Sequence, residues 1–575
     1  MDKRCIRMKK QKVILFSAYI PGVYPRGATS VTVDLLAPAI LKAAAYNDTE
    51  IVKNYDIKIL NFSTSENSTD IVKQILKEQP DILGCSVYIW NYDLISESSK
   101  LIKEAIPNIY IIWGGPQVSF NSQETIEKNP CVDVIVCGSG ETIFKMILNA
   151  KLKTNDLSTI PSITYRNTNK DIINNIGFIQ ENLSEHPSPF QTNTINLNDG
   201  KTHSVFIESS RGCIFHCGYC MWKGNHGKNL NLFPIEYVLK NIEIIYNNPN
   251  VKAVVFTDAC IFYTPDRAKI IIDKIASCKC KIPTVLTLDI AFLNENMIND
   301  LQKLNLSYQK FHFGMQSINQ LTLELMNRHL GPDTITKKIN LLRKIDPTAE
   351  ISFDIIFGLP GDNYKFFTDT IEFALSLSPI KINFSPLLIL PGSPYWFDKE
   401  KLGLVFQNNP PYMIISNKHY SVEDMHKTRP FVIGIMIVLY FPAIRDTIYK
   451  MCQQHPEHKI IDTIKKLLIQ FEKKSSISID SINQEDDIQT SLTSYYKGIK
   501  RIMNEVYIPQ NCLYMYESAL ELLNDSNMQN LNTEIVMGIN YYNAVIFNTK
   551  ISNQNLYNRI KFEWFSNEQL VEQKK

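Results

Sequence analysis

The sequence predicts an α/β protein in three folded parts: a doubly wound parallel sheet over residues 10–150, a second run of alternating strands and helices over 203–400, and a mostly helical C-terminal part over 401–575, with a linker at 151–202. Three observations predict it. From Lys12 to about Ala150, short β-branched and aliphatic runs alternate with longer amphipathic stretches, as in parallel sheets covered on both faces. The same alternation resumes at Val205 and ends near residue 400. Beyond that point helical periodicity takes over.

In the first part the expected strands are Val13–Phe16, Ile57–Leu60, Ile82–Val87, Ile109–Trp113 and Val132–Val136, and the expected helices Val33–Ala45, Thr69–Glu78 and Leu94–Ala105. Such a Rossmann-like sheet takes ligands at the carboxyl ends of its strands. Those ends carry Trp113-Gly-Gly-Pro116 and Cys137-Gly-Ser-Gly-Glu141. Glycine admits close backbone approach to a ligand, although a lone Gly-Gly pair is equally a tight βα turn. On this reading a side chain at Gly115 or Gly140 would intrude on the ligand. Residues 151–202 are rich in Asn, Ser, Thr and Pro, including Glu185-His-Pro-Ser-Pro-Phe190, and predict a linker with short edge strands.

The second part opens with Val205-Phe-Ile207, which runs through Glu208-Ser-Ser-Arg-Gly212 into Cys213-Ile-Phe-His-Cys217-Gly-Tyr-Cys220. A four-iron four-sulfur cluster is normally held by four cysteines, so a three-cysteine loop suits one whose fourth iron takes an exchangeable ligand. Zinc is the rival: His216, His203 or His226 would complete a Cys3His tetrahedron. Zinc ligands usually come as two paired knuckles, however, and Cys278-Lys-Cys280 is too close-set to be the second. Further strands are expected at Ala253–Phe256, Thr284–Leu288, Lys310–Phe313, Ile351–Ile356 and Ile382–Ser385.

With Tyr219 before its last cysteine, the loop closely resembles the signature of the radical S-adenosylmethionine (radical SAM) enzymes, in which the open iron binds the amino and carboxylate groups of SAM. The six strands resemble the partial (β/α)6 barrel of that family, whose chemistry lies at the carboxyl ends of the strands. The first part resembles the cobalamin-binding domain that precedes many such cores. The resemblance implies a 4Fe-4S cluster on Cys213, Cys217 and Cys220, and SAM contacts at Tyr219, Thr257, Asp258, Gln316, Ser317 and Arg328. It also implies cobalamin contacts at Ser86, Tyr88, Gly114, Gly115, Pro116, Gly138, Gly140 and Glu141. Gln316 and Ser317 come from Phe313-Gly-Met-Gln-Ser317 and Arg328 from Met326-Asn-Arg328; Arg328 either pairs with a carboxylate or lies on a solvated helix face. Asp354-Ile-Ile-Phe-Gly-Leu-Pro-Gly361 and Leu388-Ile-Leu-Pro-Gly-Ser-Pro394 follow in the family's order. One departure is the lack of any histidine before His186, so no histidine of the first part can ligate cobalt, as many cobalamin domains do through Asp-x-His-x-x-Gly.

The implied activity is a cobalamin-dependent C-methyltransferase acting on an unactivated carbon of a natural product or peptide, with an electron donor such as flavodoxin or ferredoxin. Its alternatives are a cyclase, ring-rearranging or oxidising enzyme of the same class, and a non-catalytic cobalamin or iron-sulfur regulatory protein. With 60 basic and 58 acidic residues the chain offers no electrostatic case for nucleic-acid binding. Scattered cysteines fit a reducing, cytoplasmic setting. No secretory signal pattern opens the chain, and the greasiest window, Phe431–Ile444, is shorter than the ~20 residues a membrane helix needs, which predicts a buried helix and no membrane partner. In the C-terminal part helices are expected near Asp446–Gln453, Ile460–Lys473 and Leu492–Glu505.

Overall fold

A computed structural model describes residues 9–20, 31–177, 179, 181–222, 230–306, 311–484, 492–526 and 528–546. The chain divides into two compact units, one of residues 1–216, 220–287 and 299–308, the other of 217–219, 288–298 and 309–575.

The first unit contains a seven-stranded sheet. Its strands are β1 (Gln11–Tyr19), β3 (Tyr55–Ser63), β4 (Ile82–Ser86), β5 (Tyr110–Gly114), β6 (Val134–Val136), β7 (Ile163–Arg166) and β8 (Ile172–Asn175), while β2 (Val31–Asp34) belongs elsewhere. The order is β3-β1-β4-β5-β6-β7-β8, parallel from β3 to β6 and antiparallel from β6 to β8. Alternate residues of each strand enter different cores, because side chains point to opposite faces with period two. Ile14, Phe16, Leu83, Ile111 and Trp113 pack with helices Ser68–Lys77 and Tyr92–Ala105. Val13, Leu15, Ile82, Ile112 and Val134 pack with helices Leu36–Tyr46 and Glu141–Lys153. Burial on both faces explains why β1 reads as an unbroken apolar run.

Two expectations change here. Val33 is strand, not helix: Val31-Thr-Val-Asp34 is mostly β-branched and pairs in parallel with β9 (Thr202–Ile207), and the helix starts only at Leu36. The segment expected as a linker supplies β7 and β8, so its edge strands extend the sheet, and Leu157, Ile160 and Ile163 join its core.

The first unit also holds a four-stranded sheet in the order β13-β12-β9-β2, made of β2 with β9 (Thr202–Ile207), β12 (Val251–Phe256) and β13 (Thr284–Val285). Here β13 is two residues long, against the five expected at Thr284–Leu288. Between β9 and β12, β10 (Ser210–Gly212) pairs antiparallel with β11 (Leu230–Leu232) around the cysteine segment. His226 lies outside the described residues, as does Lys310 of the expected Lys310–Phe313 strand.

The second unit has a parallel three-stranded sheet, β14 (Phe311–Gln316), β15 (Ile351–Phe357) and β16 (Lys381–Pro386). One face, with Phe311, Phe313, Phe353, Ile355, Ile382 and Phe384, is buried. The other, with His312, Asp354, Ile356, Asn383 and Ser385, is only half-buried. Helices follow at Val422–Leu439, Pro442–Gln454, Ile460–Ser475, Leu492–Val506, Pro509–Asp525 and Thr533–Ile546. The apolar window Phe431–Ile444 is not one helix. It breaks before Pro442, which starts the next helix at a 100° bend, and among the described residues no single helix is long and apolar enough to cross a membrane.

Candidate functional site

The strand ends of the seven-stranded sheet open onto a cavity of about 410 Å3 in the first unit. Its floor is apolar, with Leu15, Ile40, Leu41, Ile112, Val136 and Phe144. All eight residues expected to meet cobalamin line it: Ser86, Tyr88, Gly114, Gly115, Pro116, Gly138, Gly140 and Glu141. The glycines serve different ends. A Cβ on Gly115 would stand 2.5 Å from the Val87 carbonyl oxygen, and its φ of 112° and ψ of 169° suit glycine almost alone. Gly115 is therefore demanded by the strand end itself, which corrects the expectation that its side chain would meet the ligand. A Cβ on Gly140 would meet Leu41 Cδ2 at 3.1 Å, whereas one on Gly114 finds only Val136, at ordinary contact distance of 3.7 Å. Of these glycines, Gly114 is the one whose lack of a side chain the protein's own packing leaves unexplained.

The opposite wall of the cavity is Glu208, Ser210, Arg211, Gly212, Met221, Trp222 and Thr257. Arg211 Nη2 donates to Glu141 at 2.6 Å and to Glu208 at 2.7 Å. Burial alone would push the Glu141 carboxyl up, but Arg211 outweighs it and holds Glu141 low; at Glu208 burial outweighs Arg211 and the carboxyl is pushed up. Glu141 is thus committed to this ion pair, and Thr257, expected beside SAM, faces the same cavity. Asp258 is 1 % exposed and its carboxylate accepts from the Ser209 N–H at 2.9 Å and from the Ser209 and Ser210 hydroxyls at 2.6 Å each. Its side chain braces the strand entering the cysteine segment.

The cysteines follow at once. Gly212, with φ 93°, turns the chain into the segment. Cys213 Sγ accepts from the Phe215 N–H at 3.4 Å and lies 3.3 Å from the Tyr263 hydroxyl. Cys220 Sγ accepts from the Trp222 N–H at 3.3 Å. In the second unit Gly218 donates to the Met326 carbonyl at 3.0 Å and accepts from the Tyr395 N–H at 2.9 Å. A Cβ at Gly218 would lie 2.2 Å from the Tyr395 ring, which explains the glycine between Cys217 and Cys220.

Zinc fits less well. His203 spends both ring nitrogens, on Asp34 at 2.7 Å and Asp199 at 2.9 Å. Among the described residues, the one group of three or more metal-ligating side chains whose donor atoms close to within 4.8 Å is Glu141, Glu181 and His186, without a cysteine. Zn–S bonds of about 2.3 Å would draw cysteines closer than that. The three-cysteine donor set fits an iron-sulfur cluster with one iron left open.

In the second unit Tyr219, Gln316 and Arg328 come with a residue that sequence reasoning missed, Asp289, 3.7 Å from Arg328 Nη2. Arg328 is 16 % exposed at its side chain and also donates to the Gly314 carbonyl at 3.2 Å, so it is not a solvated helix-face arginine. Burial works against its charge, yet Tyr219, Asp289 and Cys217 more than offset that and raise its pKa. Gln316 has φ 66°, rare outside glycine, and its buried Oε1 has no hydrogen-bond partner among the described residues. Ser317 is fully buried, and its hydroxyl oxygen accepts from the Asn319 N–H at 3.2 Å. Asp354 was also missed as a site residue: on the open face of β15 it accepts from Asn383 Nδ2 at 2.9 Å and lies 2.7 Å from His312 Nε2. The signal was present in the half-apolar alternation of β15, which puts a carboxylate among buried neighbours.

Comparison with known proteins agrees with this geometry. The family described as "B12 binding domain" matches residues 39–148, and the "Radical SAM superfamily" matches residues 207–374. An uncharacterised methyltransferase of Pyrococcus horikoshii is 26% identical over 358 residues, 61% of this chain and 76% of that protein. The cobalamin-dependent radical SAM methyltransferase TokK of Streptomyces tokunonensis is 25% identical over 62% of this chain, and the match spans only 54% of TokK. Among solved structures, the cobalamin-dependent SAM radical enzyme OxsB with aqua-cobalamin bound superposes with a TM-score of 0.56 at 15% identity, covering 92% of this chain and 84% of that one. TsrM from Kitasatospora setae, a radical SAM methyltransferase, gives 0.53 at 13% identity, covering 70% and 78%. With its strand-end cavity ahead of a three-cysteine segment, the chain is a radical SAM enzyme of the kind that carries a B12-binding domain before the radical SAM domain.

Proposed function

We propose that this enzyme is a cobalamin-dependent radical SAM methyltransferase that adds a methyl group to an unactivated carbon of a small-molecule or peptide natural product. The observation that carries the reading is the cavity in the first unit, lined both by glycine-bearing strand ends and by Glu208, Ser210, Arg211 and Gly212, from the stretch leading straight into Cys213. A cofactor held there lies against the segment that holds the cluster.

A bound cluster would supply the electron for reductive cleavage of SAM, and a bound cobalamin would supply a methyl group drawn from a second SAM. Cys213, Cys217 and Cys220 hold the cluster and leave one iron to SAM. Arg328, fixed by Asp289 and Tyr219, is placed to take the SAM carboxylate; Gln316 Oε1 and Asp354 offer acceptors for hydroxyl or amino hydrogens. The apolar cavity floor excludes water from the cobalamin side. A one-electron donor of flavodoxin or ferredoxin type supplies the electron.

The test is an anaerobic reaction with SAM labelled in its methyl group. Labelled methyl in the product, with 5′-deoxyadenosine released, supports the reading. 5′-Deoxyadenosine with an unlabelled product means oxidation or ring rearrangement instead. Absence of 5′-deoxyadenosine under reducing conditions rejects radical chemistry. Cys217→Ala is expected to abolish the cluster's visible absorption and all SAM cleavage, while Cys278→Ala and Cys280→Ala retain both.

A further inference from the structure

We infer that the Tyr395 hydroxyl donates a hydrogen bond to a sulfur of the iron-sulfur cluster beside Cys217 and so raises the potential at which the cluster accepts its electron. The inference rests on the reading that the cysteine segment holds such a cluster.

Tyr395 follows Pro391-Gly-Ser-Pro394 at the start of the short helix Pro394–Phe397. Its ring is 1 % exposed and its edge lies over Gly218: a Cβ there would be 2.2 Å from Cε1 and 2.7 Å from Cζ. The Tyr395 N–H to Gly218 carbonyl bond at 2.9 Å fixes the pair. The side chain is therefore docked on the residue directly after Cys217. At the end of this ring is a buried hydroxyl with no hydrogen-bond partner among the described residues. Buried hydroxyls are nearly always paired, so one left open on rigid scaffolding points to a partner that arrives with a bound group. The neighbouring acceptor-rich group is the cluster, whose sulfides and thiolates accept but cannot donate. A tyrosine hydroxyl carries a donor hydrogen, and against a group that only accepts it can act only as the donor.

A hydrogen bond to cluster sulfur stabilises the added negative charge of the reduced form and raises the potential. The electron comes from the one-electron donor and stays on the cluster. The proton stays on Tyr395 Oη, and no covalent bond changes there.

The experiment is a redox titration of the full-length, reconstituted, SAM-free protein followed by electron paramagnetic resonance, wild type against Tyr395→Phe, which keeps the ring on Gly218. The expected result is equal iron content and about a tenfold lower ratio of reduced to oxidised cluster at a fixed potential, a downward shift of about 59 mV for one electron. Resonance Raman iron-sulfur bands should shift on H/D exchange in wild type and lose that one shift in the variant. An unchanged potential overturns the inference. So does weaker SAM binding without a change in the SAM-free potential, which would put the hydroxyl on SAM, and so does iron loss in the variant. If wild type itself forms no cluster, the underlying reading of the cysteine segment fails instead.

Discussion

The seven-stranded sheet of the first unit, parallel from β3 to β6, and the parallel three-stranded sheet of the second place chemistry differently. In the first, helices cover both faces, consecutive residues such as Val13, Ile14, Leu15 and Phe16 are all buried, and ligand contacts are confined to the strand ends. In the second, one face is packed and the other carries His312, Asp354, Asn383 and Ser385, so polar groups sit along the strands themselves. A covered sheet can recognise a ligand only where its backbone stops. A half-covered one can do so along its length.

The largest expected difference comes from putting an amide on each sheet. Val134→Asn in β6 removes a fully buried aliphatic side chain and leaves an unpaired amide, a cost of about 3–5 kcal/mol in thermal or urea unfolding. Ile356→Asn on the open face of β15 should cost about 1 kcal/mol or less. Equal losses would erase the contrast between the faces.

Next is function on the open face. Asp354→Ala is expected to lower 5′-deoxyadenosine formation roughly 10- to 100-fold, the worth of one hydrogen bond to a charged group, while cobalamin content stays as in wild type. A matching drop in cobalamin retention would show that the two regions are not separable.

At the strand ends the two glycines should part. Gly115→Ala is expected to cost about 1–3 kcal/mol without any cofactor, through its backbone conformation and the Val87 carbonyl. Gly114→Ala should leave the cofactor-free melting temperature nearly unchanged and weaken cobalamin retention; the reverse outcome would reverse the assignment.

The smallest effect is on pH. Asp362, after Gly361, is fully buried with one carboxylate oxygen unpaired, and burial pushes its carboxyl up from 3.8 to about 7. The folded state therefore keeps a proton that the unfolded chain loses near pH 4. The stability this contributes is complete below about pH 4 and is lost as pH rises toward 7. Asp362→Asn should flatten that slope, as read from melting temperatures between pH 4 and 7.

Legibility in the sequence followed the same contrast. The strands β1, β4 and β5, with their terminal glycines, were readable because an all-apolar run ending in Gly-Gly-Pro is a local signal, and the eight residues expected at the cavity all line it. The cysteine segment was readable by spacing alone. Side-chain direction was not: the Asp258 carboxylate is taken up by Ser209 and Ser210. Asp289, Asp354 and Tyr395 acquire meaning only once separate strands and turns come together. The short strand β2 went unread because three β-branched residues and an aspartate before a helix carry no periodicity, and its partner β9 lies some 170 residues downstream in the register Val31 to Thr202.

That pairing has a consequence for how the protein can be taken apart. Asp34 at the end of β2 also holds His203 of β9 by a 2.7 Å contact, so the B12-binding region lends the neighbouring sheet a strand and an ion-pair partner. A fragment ending near residue 150 would carry β2 with bare backbone edges, a surface prone to aggregation. Residues 203–400 alone would lose the strand that covers β9. The two functions therefore share one foldon and are expected to melt in one transition, and recombination that cut between them at residues 151–202 would break a sheet instead of separating two modules.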